Sequence, residues 1–429
     1  MAQTLKFGNG NFATKAGSTL CYDDQNGNFK PIPMDFTRAS TATRVNKQGL
    51  IEVVKSNVPR IDYTDTSDGV LLLEKAATNL ITYSEDFSNS YWAKGAVSIA
   101  SNSITSPDGT LNSNKVIEDT TNANHYIDTS SISVTSGSSY TVSVFVRDNG
   151  RNLTIQGSSS ITASAFATFD LKNGFIITES VGNATIKNFG NNWYKCSLTF
   201  TAPATTNGTV TFLMGNTRSD IYQGNGTSGF YLWGAMLEQN SVASSYIPTQ
   251  GSATTRVAET ASGAGNSEVF SDSQGVLFAN ILKSNVTDYS TLSISADANN
   301  FLNIGFNSSN KFFFRITANN STVLNNESIS STDNRYYKIA FKYKSGDVGI
   351  WIDGIEVFQS TQSFSFTSAL SDLNFKFRKS DALFPFYGKT KEIGYYDAIL
   401  TDLELETLTS YRTWISMVNE LNLNIIYNG

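Results

Sequence analysis

Short runs of alternating polar and apolar side chains recur along most of this chain. Every second residue is apolar or aromatic in residues 140–147, 194–200, 210–214 and 337–343. Because successive side chains of a β-strand point to opposite faces, such runs predict strands with an apolar face. Small polar turn residues separate the runs at short intervals, which is typical of antiparallel sandwiches and jelly rolls. The pattern predicts an all-β chain with two tandem antiparallel β-sandwiches.

The composition agrees with this prediction and excludes two classes of partner. Of the 429 residues, 40% are hydrophobic and 16% are charged, which gives sizeable cores under a neutral polar surface. The net charge is −6, and no basic face is present, so we expect no nucleic-acid partner. We find no apolar run of membrane-spanning length and no signal-peptide core, so we expect no membrane insertion and a protein made in the cytoplasm or released by lysis.

Breaks in the alternation divide the chain. Residues 1–80 have weak periodicity interrupted by prolines, and are predicted to be an extended N-terminal attachment segment that lies along another domain or a partner. Residues 81–250 and 269–400 each have the pattern of a sandwich. The small polar residues 251–268 are predicted to link them. Residues 401–429 complete the chain with a helix and a tail.

One short helix is predicted near the C-terminus. Thr401 and Glu404 have the spacing of a capping box, in which each side chain binds the backbone amide of the other residue. Apolar residues then recur at helical spacing. They are Leu405, Leu408, Tyr411, Trp414 and Ile415. The apolar tail at residues 421–426 is predicted to be a last strand or an oligomer contact.

The two cysteines do not predict a disulfide framework. Cys21 and Cys196 lie far apart in segments that we assign to different domains. Cys196 alternates with apolar residues, so we expect it to be a small core residue.

Three separated stretches resemble a recurrent pattern of bacteriophage and prophage tail and fibre proteins, in the same order as in that family. The resemblance covers roughly residues 36–260. The stretches are 36–45 (FTRASTATRV) with 49–51 and 57–63 (NVPRIDY), 72–80 (LLEKAATNL) with 84–87 and 91–92, and 232–238 (LWGAMLE) with 245–249 (SYIPT) and 255–258 (TRVA). In that family the last two stretches bracket a module similar to a carbohydrate-binding jelly roll.

Residues 269–415 resemble the concanavalin and laminin-G type of lectin domain. The resemblance rests on 337–341 (YKIAF), 348–354 (VGIWIDG) and 391–397 (KEIGYYD) leading to 400–404 (LTDLE). It implies a second sandwich of the concanavalin type. That fold hosts enzymes and spacers as well as lectins, so the resemblance implies a fold rather than an activity.

The sequence predicts neither a catalytic site nor a cofactor. His125 is the only histidine, and its polar neighbours predict an ordinary surface residue. A glycosidase needs two carboxylates, but no strand carries the Glu-x-Asp-x-x-Glu spacing of catalytic members of the lectin-like fold. The carboxylates of Glu404 and Glu406 belong to the predicted helix. We therefore expect no enzymatic activity.

Metal ligation was considered at two places, and no metal is assigned. Asp297 with Asn299 and Asn300, and Asp372 with Asn374, offer the oxygen atoms that calcium prefers. Asp and Asn also stabilise turns through their own backbone, which explains these residues equally well.

Sugar-binding modules use exposed aromatic rings as platforms, so the ligand-binding candidates are aromatic residues in polar loops. Packing is the competing explanation for each of them. The tryptophans Trp193, Trp233 and Trp351 lie in alternating strands and are predicted to be core. The candidates are Tyr126 beside His125, Tyr222 with Arg218 and Asp220, and Phe384 with Tyr387.

Three functions remain open from the sequence. The first is a virion structural protein, either a fibre, a tail or a head appendage, that displays lectin-like modules for attachment to host-surface glycans. Its partners would be other virion proteins through the N-terminal segment, host glycans, and itself as a homo-oligomer, with a trimer favoured by the resemblance to fibres. The second is a purely architectural virion subunit whose sandwiches act as spacers or clamps. The third is a polysaccharide depolymerase.

Overall fold

The computed structural model describes residues 3–24, 27–283, 288–331, 335–421 and 423. Over these residues the protein is built almost wholly of β-strands, and it divides into two compact units. Unit 1 comprises residues 1–41, 54–75 and 258–429, and unit 2 comprises residues 42–53 and 76–257. The predicted all-β class with two antiparallel sandwiches is confirmed.

The strands before and within unit 2 follow in chain order. They are β1 (Leu5–Gly8), β2 (Thr14–Lys15), β3 (Ser18–Asp23), β4 (Lys30–Thr37), β5 (Ala42–Val45), β6 (Ile51–Val54), β7 (Arg60–Asp62), β8 (Val70–Leu73), β9 (Ala77–Asn79), β10 (Ala93–Gly95), β11 (Val97–Ala100), β12 (Asn114–Glu118), β13 (Asn122–Ala123), β14 (Tyr126–Asp128), β15 (Ile132–Val134), β16 (Ser139–Asn149), β17 (Leu153–Gly157), β18 (Phe166–Asp170), β19 (Phe175–Ser180), β20 (Asn183–Gly190), β21 (Trp193–Thr201), β22 (Thr206–Gly208), β23 (Val210–Met214), β24 (Tyr222–Gln223), β25 (Gly229–Glu238) and β26 (Thr254–Arg256).

The remaining strands and the helices complete the structure. They are β27 (Thr260–Ala264), β28 (Gln274–Lys283), β29 (Ser290–Ser295), β30 (Phe301–Phe306), β31 (Phe312–Ala318), β32 (Ser321–Asn326), β33 (Tyr337–Lys344), β34 (Val348–Ile352), β35 (Ile355–Ser360), β36 (Asp372–Asn374), β37 (Gly388–Tyr396), and the helices α1 (Ser159–Thr162), α2 (Asp402–Thr409) and α3 (Trp414–Glu420).

The strands of unit 1 pair along one continuous path that makes two layers. One layer has the order β35-β34-β33-β28-β37, with β1 and β8 beside different parts of β37. The other has the order β3-β4-β27-β36-β29-β30-β31-β32, and β1 joins β3. The apolar side chains of both layers form one core, which includes Phe36, Ile294, Ile304, Phe341 and Ile393. The predicted hairpin at Asp353-Gly354 is present, because both residues have positive φ between β34 and β35.

Unit 2 is a sandwich of two six-stranded sheets. Their orders are β10-β14-β23-β17-β18-β19 and β11-β12-β25-β16-β21-β20. Between them lies a core that includes Val142, Val144, Cys196, Leu198 and Phe212, so the predicted burial of Cys196 is confirmed. Burial raises the pKa of the Cys196 thiol, and Cys21 and Cys196 are both free thiols.

A single buried asparagine of unit 2 hydrogen-bonds to three segments of the chain, around residues 81, 235–237 and 247. The buried Asn79 amide donates to the carbonyl oxygens of Ala235 at 3.1 Å and Ile247 at 2.9 Å. Its carbonyl oxygen accepts from the backbone amides of Ile81 at 3.1 Å and Leu237 at 3.2 Å. All the hydrogen-bonding capacity of this side chain is therefore used, which stabilises an otherwise unfavourable buried polar group.

Two buried arginines share one buried glutamate in unit 1. Arg38 Nη1 donates to Glu259 Oε1 at 2.7 Å, and Arg60 Nε donates to the same oxygen at 2.8 Å. Arg60 also pairs with Glu74 at 2.9 Å, and the Glu74 amide donates to Glu259 Oε2 at 2.9 Å. Arg38, Arg60 and Glu259 have fully buried side chains that no longer contact water. The ion pairs and hydrogen bonds within this group therefore replace the lost hydration of each charge.

The division into units differs from the predicted boundaries. Within residues 1–80, six strands (β1 to β4, β7 and β8) pair into the unit 1 sheets, whereas β5, β6 and β9 do not. The predicted linker at 251–268 contains β26 and β27. The prolines of β4 suggested that no strand forms here, but they do not interrupt the pairing with β3. The Phe36 amide donates to the Gly17 carbonyl oxygen, on the β3 side of the strand. Because backbone amides alternate between the two edges of a strand, the amide hydrogens that Pro31 and Pro33 lack would have pointed away from β3, toward the β27 edge. β27 pairs with β4 only at residues 35–37, so no hydrogen bond to β27 is lost.

The C-terminal region contains two helices rather than one. The predicted capping box of Thr401 and Glu404 is present at α2. Ser410 is extended and ends this helix, and Thr413 caps α3 separately. Trp414 and Ile415 are consequently 64% and 51% exposed instead of continuing a buried stripe. Of the predicted tail, residues 422 and 424–426 lie outside the described residues. No helix within the described ranges has the length and apolar character needed to cross a membrane.

The shared glutamate generates a test of stability. Glu259→Gln removes the charge that neutralises Arg38 and Arg60, and we expect it to lower the free energy of unfolding of unit 1 by about 3–5 kcal/mol. Asp347→Asn is the matched control, because Asp347 is 47% exposed and pairs with Lys342 at 2.8 Å. We expect a loss of at most about 1 kcal/mol there.

Hydrogen-exchange mass spectrometry of both variants over a series of urea concentrations measures the unfolding of unit 1 separately from that of unit 2. Equal losses in the two variants would show that the buried charges are not what holds these strands together.

Candidate functional site

One sheet of unit 2 has a second face that is apolar at one end and polar at the other. In β16, the residues Tyr140, Val142 and Val144 point into the core between the sheets, and the intervening residues point to the opposite face. The alternation therefore predicted the strand correctly, although β16 is buried on both faces over most of its length.

Apolar residues cover the first part of this second face. The rings of Phe145 and Trp233 lie 5.5 Å apart, and those of Trp233 and Tyr246 lie 4.6 Å apart. The cluster also includes Ile51 from β6 and Trp193 from β21. The predicted core positions of Trp193, Trp233 and, in unit 1, Trp351 are confirmed, since all three are buried.

Beyond this cover, cationic and aromatic side chains alternate across four strands. Lys115 of β12 is opposite Tyr231 of β25, Tyr231 is opposite Arg147 of β16, and Arg147 is opposite Trp193 of β21. Neighbouring strands are about 4.8 Å apart, so the four residues form a row across the sheet. We call them the cation–aromatic row. Its first three members are partly exposed, and Lys115 Nζ lies 6.0 Å from the centre of the Tyr231 ring.

A pocket of about 290 Å³ adjoins the row at Arg147 and Trp193. Polar groups and apolar surface both contribute to its wall, as is usual for small-molecule sites. The remaining lining residues are Gly49, Leu50, Thr105, Ser106, Pro107, Phe189, Gly190 and Asn191.

The wall of the pocket is fixed by contacts within unit 2. Trp193 Nε1 donates to the carbonyl oxygen of Thr105 at 3.1 Å, and the Ile51 amide donates to that of Pro107 at 2.9 Å. Asn191 and Asn192 have φ values of 50° and 63°, which make the tight turn between β20 and β21. The ring of Phe189 packs edge-on against Phe145.

Tyr222, a predicted ligand-binding residue, belongs to a hydrogen-bond network that holds its own loop. The buried Glu118 accepts from Arg151 Nε at 2.6 Å and Arg151 Nη2 at 2.7 Å, and from the Tyr222 hydroxyl at 2.7 Å. The Asn225 amide donates to Glu118 at 2.8 Å. Burial, followed by the Glu118 carboxylate, raises the pKa of Tyr222.

The prediction of a surface histidine is wrong. His125 is fully buried, its Nδ1 lies 2.7 Å from the carbonyl oxygen of Ala96, and its ring packs 4.8 Å from that of Tyr222. The burial of His125 is not visible in its polar sequence neighbours Asn124 and Tyr126, because the residues that contact the imidazole come from distant parts of the chain.

The other loop candidates of unit 2 contribute to structure. Asp220 accepts from the backbone amides of Asn216 and Thr217 and so shapes its loop. The Tyr126 ring occupies the space in which a side chain at Gly95 would stand. Arg218 is half-buried in the same loop as Asp220. None of these residues lines the pocket at Arg147.

The candidates of unit 1 pack against neighbouring rings. Phe384 lies 4.9 Å from the Tyr289 ring and 5.4 Å from the Phe377 ring, and its carbonyl oxygen accepts from Thr291. Tyr387 is half-buried against the unit 1 core, and burial raises its pKa. These contacts agree with the packing explanation.

The oxygen-rich positions considered for calcium have partners within the chain. Asp297 accepts from the Asn299 amide at 2.7 Å and the Asn300 side chain at 3.1 Å, as in an Asx turn. Asp372 pairs with Lys379 at 2.6 Å. Within the described part of the chain, no group of three or more His, Cys, Asp or Glu side chains is placed to hold a metal ion.

A second, more polar groove of about 400 Å³ lies on unit 1. Its lining includes Lys342, Asp347, Glu356 and Asp402. Lys342 Nζ is 2.8 Å from Asp347 and 3.5 Å from Asp402, so ion pairs account for two of these carboxylates.

Comparison with known proteins identifies part of the chain. Residues 277–406, less than half of the chain, match the family described as the concanavalin A-like lectin/glucanases superfamily. This part of unit 1 is a concanavalin A-like sandwich. No curated protein matches the chain.

Solved structures of carbohydrate-binding proteins and sialidases are similar at low identity. The carbohydrate-binding module CBM40 of the Ruminococcus gnavus IT-sialidase is 17% identical, with 35% of this chain and 94% of that chain covered and a TM-score of 0.30. A putative carbohydrate binding protein from Bacteroides ovatus is 12% identical, with 66% and 79% covered and a TM-score of 0.25. Trypanosoma rangeli sialidase is 8% identical, with 92% and 82% covered and a TM-score of 0.28. Likenesses this weak carry no argument about function.

The Glu118 network generates a pH prediction. Burial raises the pKa of Glu118, but hydrogen bonds from Arg151, Asn225 and Tyr222 outweigh it, and the net shift is downward. A lowered pKa stabilises the fold above the unfolded value of about 4.3, and the stabilisation is lost as the pH falls through the folded value.

We therefore expect Glu118→Gln to destabilise unit 2 by about 2 kcal/mol or more at pH 7, and the difference from wild type to shrink below about pH 4. Urea unfolding at pH 7 and pH 3 measures it. The exposed Glu179 provides the control Glu179→Gln, with an expected change within about 1 kcal/mol. A Glu118→Gln deficit that is the same at both pH values contradicts the assignment.

Proposed function

We propose that this chain is a non-catalytic carbohydrate-binding protein of a bacteriophage particle, and that the cation–aromatic row with its pocket is where unit 2 holds a glycan. The observation that carries the binding proposal is the row itself. The row places the half-buried Tyr231 ring beside Arg147, and the adjoining pocket adds the half-buried Phe189 ring with Thr105 and Asn191. Sugars present apolar ring faces and hydroxyl groups, and this combination complements both.

The row is a better candidate than the loop aromatics. Tyr222 and Phe384 have rings and polar groups engaged by neighbouring side chains. The row, in contrast, combines ring faces and donors at the edge of one pocket. The concanavalin A-like part of unit 1 supports a lectin-type role for the whole chain, although its own binding surface is not assigned.

The virion role rests on the resemblance of residues 36–260 to phage tail and fibre proteins. We propose that the protein is a fibre, tail or head appendage that attaches to glycans on the host surface. It would form a homo-oligomer, and this oligomer would bind other virion proteins. Localisation in the virion, with release by lysis, is part of this proposal.

Binding without catalysis is proposed because the acidic groove of unit 1 lacks a plausible acid and nucleophile pair. Two of its carboxylates, Asp347 and Asp402, pair with the same lysine, Lys342, whereas glycosidases use the environment to separate the roles of their two carboxylates. Incubation with the bound polysaccharide should release no reducing ends. Their release would replace the binding proposal by a depolymerase.

The site is tested with the full chain on a glycan array, followed by titration calorimetry of the glycan that binds. Tyr231→Ala removes a ring of the row, and we expect its affinity to fall about tenfold or more. Phe175→Ala is the control, because Phe175 is a 49% exposed aromatic residue of β19 that is outside the row.

We expect Phe175→Ala to bind like the wild type. Absence of any bound glycan would remove the carbohydrate proposal, and an equal loss in the two variants would place the site elsewhere.

A further inference from the structure

We propose that the pocket beside Arg147 selects acidic sugars, by pairing the Arg147 guanidinium with an anionic group carried on a sugar ring. This inference rests on the proposed function and adds a ligand class to it. It is carried by the charge of Arg147, by the composition of the pocket wall, and by the positive charge of the cation–aromatic row.

The Arg147 guanidinium has no charged partner in the part of the chain that the structure describes. Among the described residues, no carboxylate lies within ion-pairing distance of its guanidinium, and no side chain or carbonyl oxygen accepts a hydrogen bond from it. The neighbouring arginine of unit 2, Arg151, forms two hydrogen bonds with Glu118. A half-buried guanidinium has lost part of its hydration, so an anion that reaches it gains more than at an exposed site.

The pocket wall offers an anion no competing negative charge. None of the ten lining residues is acidic, and Arg147 is the one charged residue among them. Asp108 follows the lining residues Ser106 and Pro107 in sequence, but its carboxylate accepts from the Ser106 hydroxyl at 2.6 Å and the Thr110 amide at 2.8 Å. That carboxylate is therefore held within its own loop.

The charge of the cation–aromatic row has the opposite sign to that of the whole chain. The chain carries a net charge of −6, yet the row contains two cations and no acid. The local potential therefore favours an anionic ligand in spite of the net charge.

The chemistry of the guanidinium specifies the anion further. Its fork of N–H donors matches a planar carboxylate with two parallel hydrogen bonds, and it also accepts the oxygens of a sulfate or phosphate group. Thr105 and Asn191 supply neutral hydrogen-bonding groups for ring hydroxyls, and Phe189 supplies an apolar surface. A volume of about 290 Å³ suits a single sugar unit rather than a chain segment. The expected ligand is an acidic monosaccharide unit of a longer glycan.

The test uses matched pairs of probes on the intact protein. Oligosaccharides that carry galacturonate, glucuronate or sialic acid are printed beside their methyl esters, and sulfated oligosaccharides beside their desulfated forms. We expect at least one acidic probe to bind about tenfold tighter than its neutral partner, and this preference to shrink as salt is raised. The carboxylated and the sulfated pairs distinguish the two sources of negative charge.

Three variants assign the preference to Arg147. Arg147→Gln should bring the acidic probe to the affinity of its neutral partner, and Arg147→Lys should keep part of the preference. Lys172→Gln removes one positive charge from an exposed turn of unit 2 and should behave like the wild type. An unchanged acidic preference in Arg147→Gln overturns the inference.

Failure of the inference differs from failure of the proposed function. If acidic and neutral probes bind equally and Tyr231→Ala abolishes both, the row binds sugars and only the acid selectivity is wrong. If no probe binds, both proposals fall.

Discussion

A carboxylate shared by two buried guanidinium groups is the interaction on which unit 1 depends. Glu259 precedes β27, Arg38 follows β4, and Arg60 begins β7, so three distant parts of the chain meet at one charge. A hydrophobic contact tolerates small shifts of register, but a buried ion network with satisfied hydrogen bonds accepts one arrangement. Glu74 adds the second negative charge, which makes the group of two arginines and two glutamates neutral. The network thus fixes where the early strands enter the sheets that the late strands complete.

In unit 2 a neutral side chain joins distant parts of the chain. Asn79 binds four backbone groups and joins the segments around β9, β25 and residue 247. On the second face of the β16 sheet, an aromatic cluster buries one end, and the cation–aromatic row remains at the other. Trp193 belongs to both, and Tyr231 packs against the cluster, so the covered end anchors the row. A site on such strands is held more firmly than one on loops.

The sequence predicted the strands well because alternation reports burial directly, and it predicted the boundaries poorly because pairing over long distances leaves no local pattern. The period-two runs at β16, β21 and β33, the hairpin at Asp353-Gly354 and the cap at Thr401 are all present. Ile32, Met34 and Phe36 also alternate, and attention to these residues rather than to the intervening prolines would have identified β4. The candidate site was missed for a related reason. The sequence-based candidates are aromatic residues in loops, whereas Tyr231 and Arg147 lie in strands. Whether such strand residues are exposed depends on which part of the sheet the aromatic cluster covers. No local pattern indicated the contacts among these arginines and glutamates, since Arg38 and Glu259 are far apart in sequence.

The order of the segments has a consequence for synthesis on the ribosome. Unit 2 occupies residues 42–53 and 76–257, inside the sequence of unit 1. The partners of β1 and β4 in β37 and β27 are translated only after nearly all of unit 2 has emerged. The inserted sandwich is therefore able to fold while the first strands of the surrounding one still wait with unpaired edges, and such edges promote aggregation. Pro31 and Pro33, at exposed positions of β4, would hinder such pairing because a proline has no backbone amide hydrogen to donate.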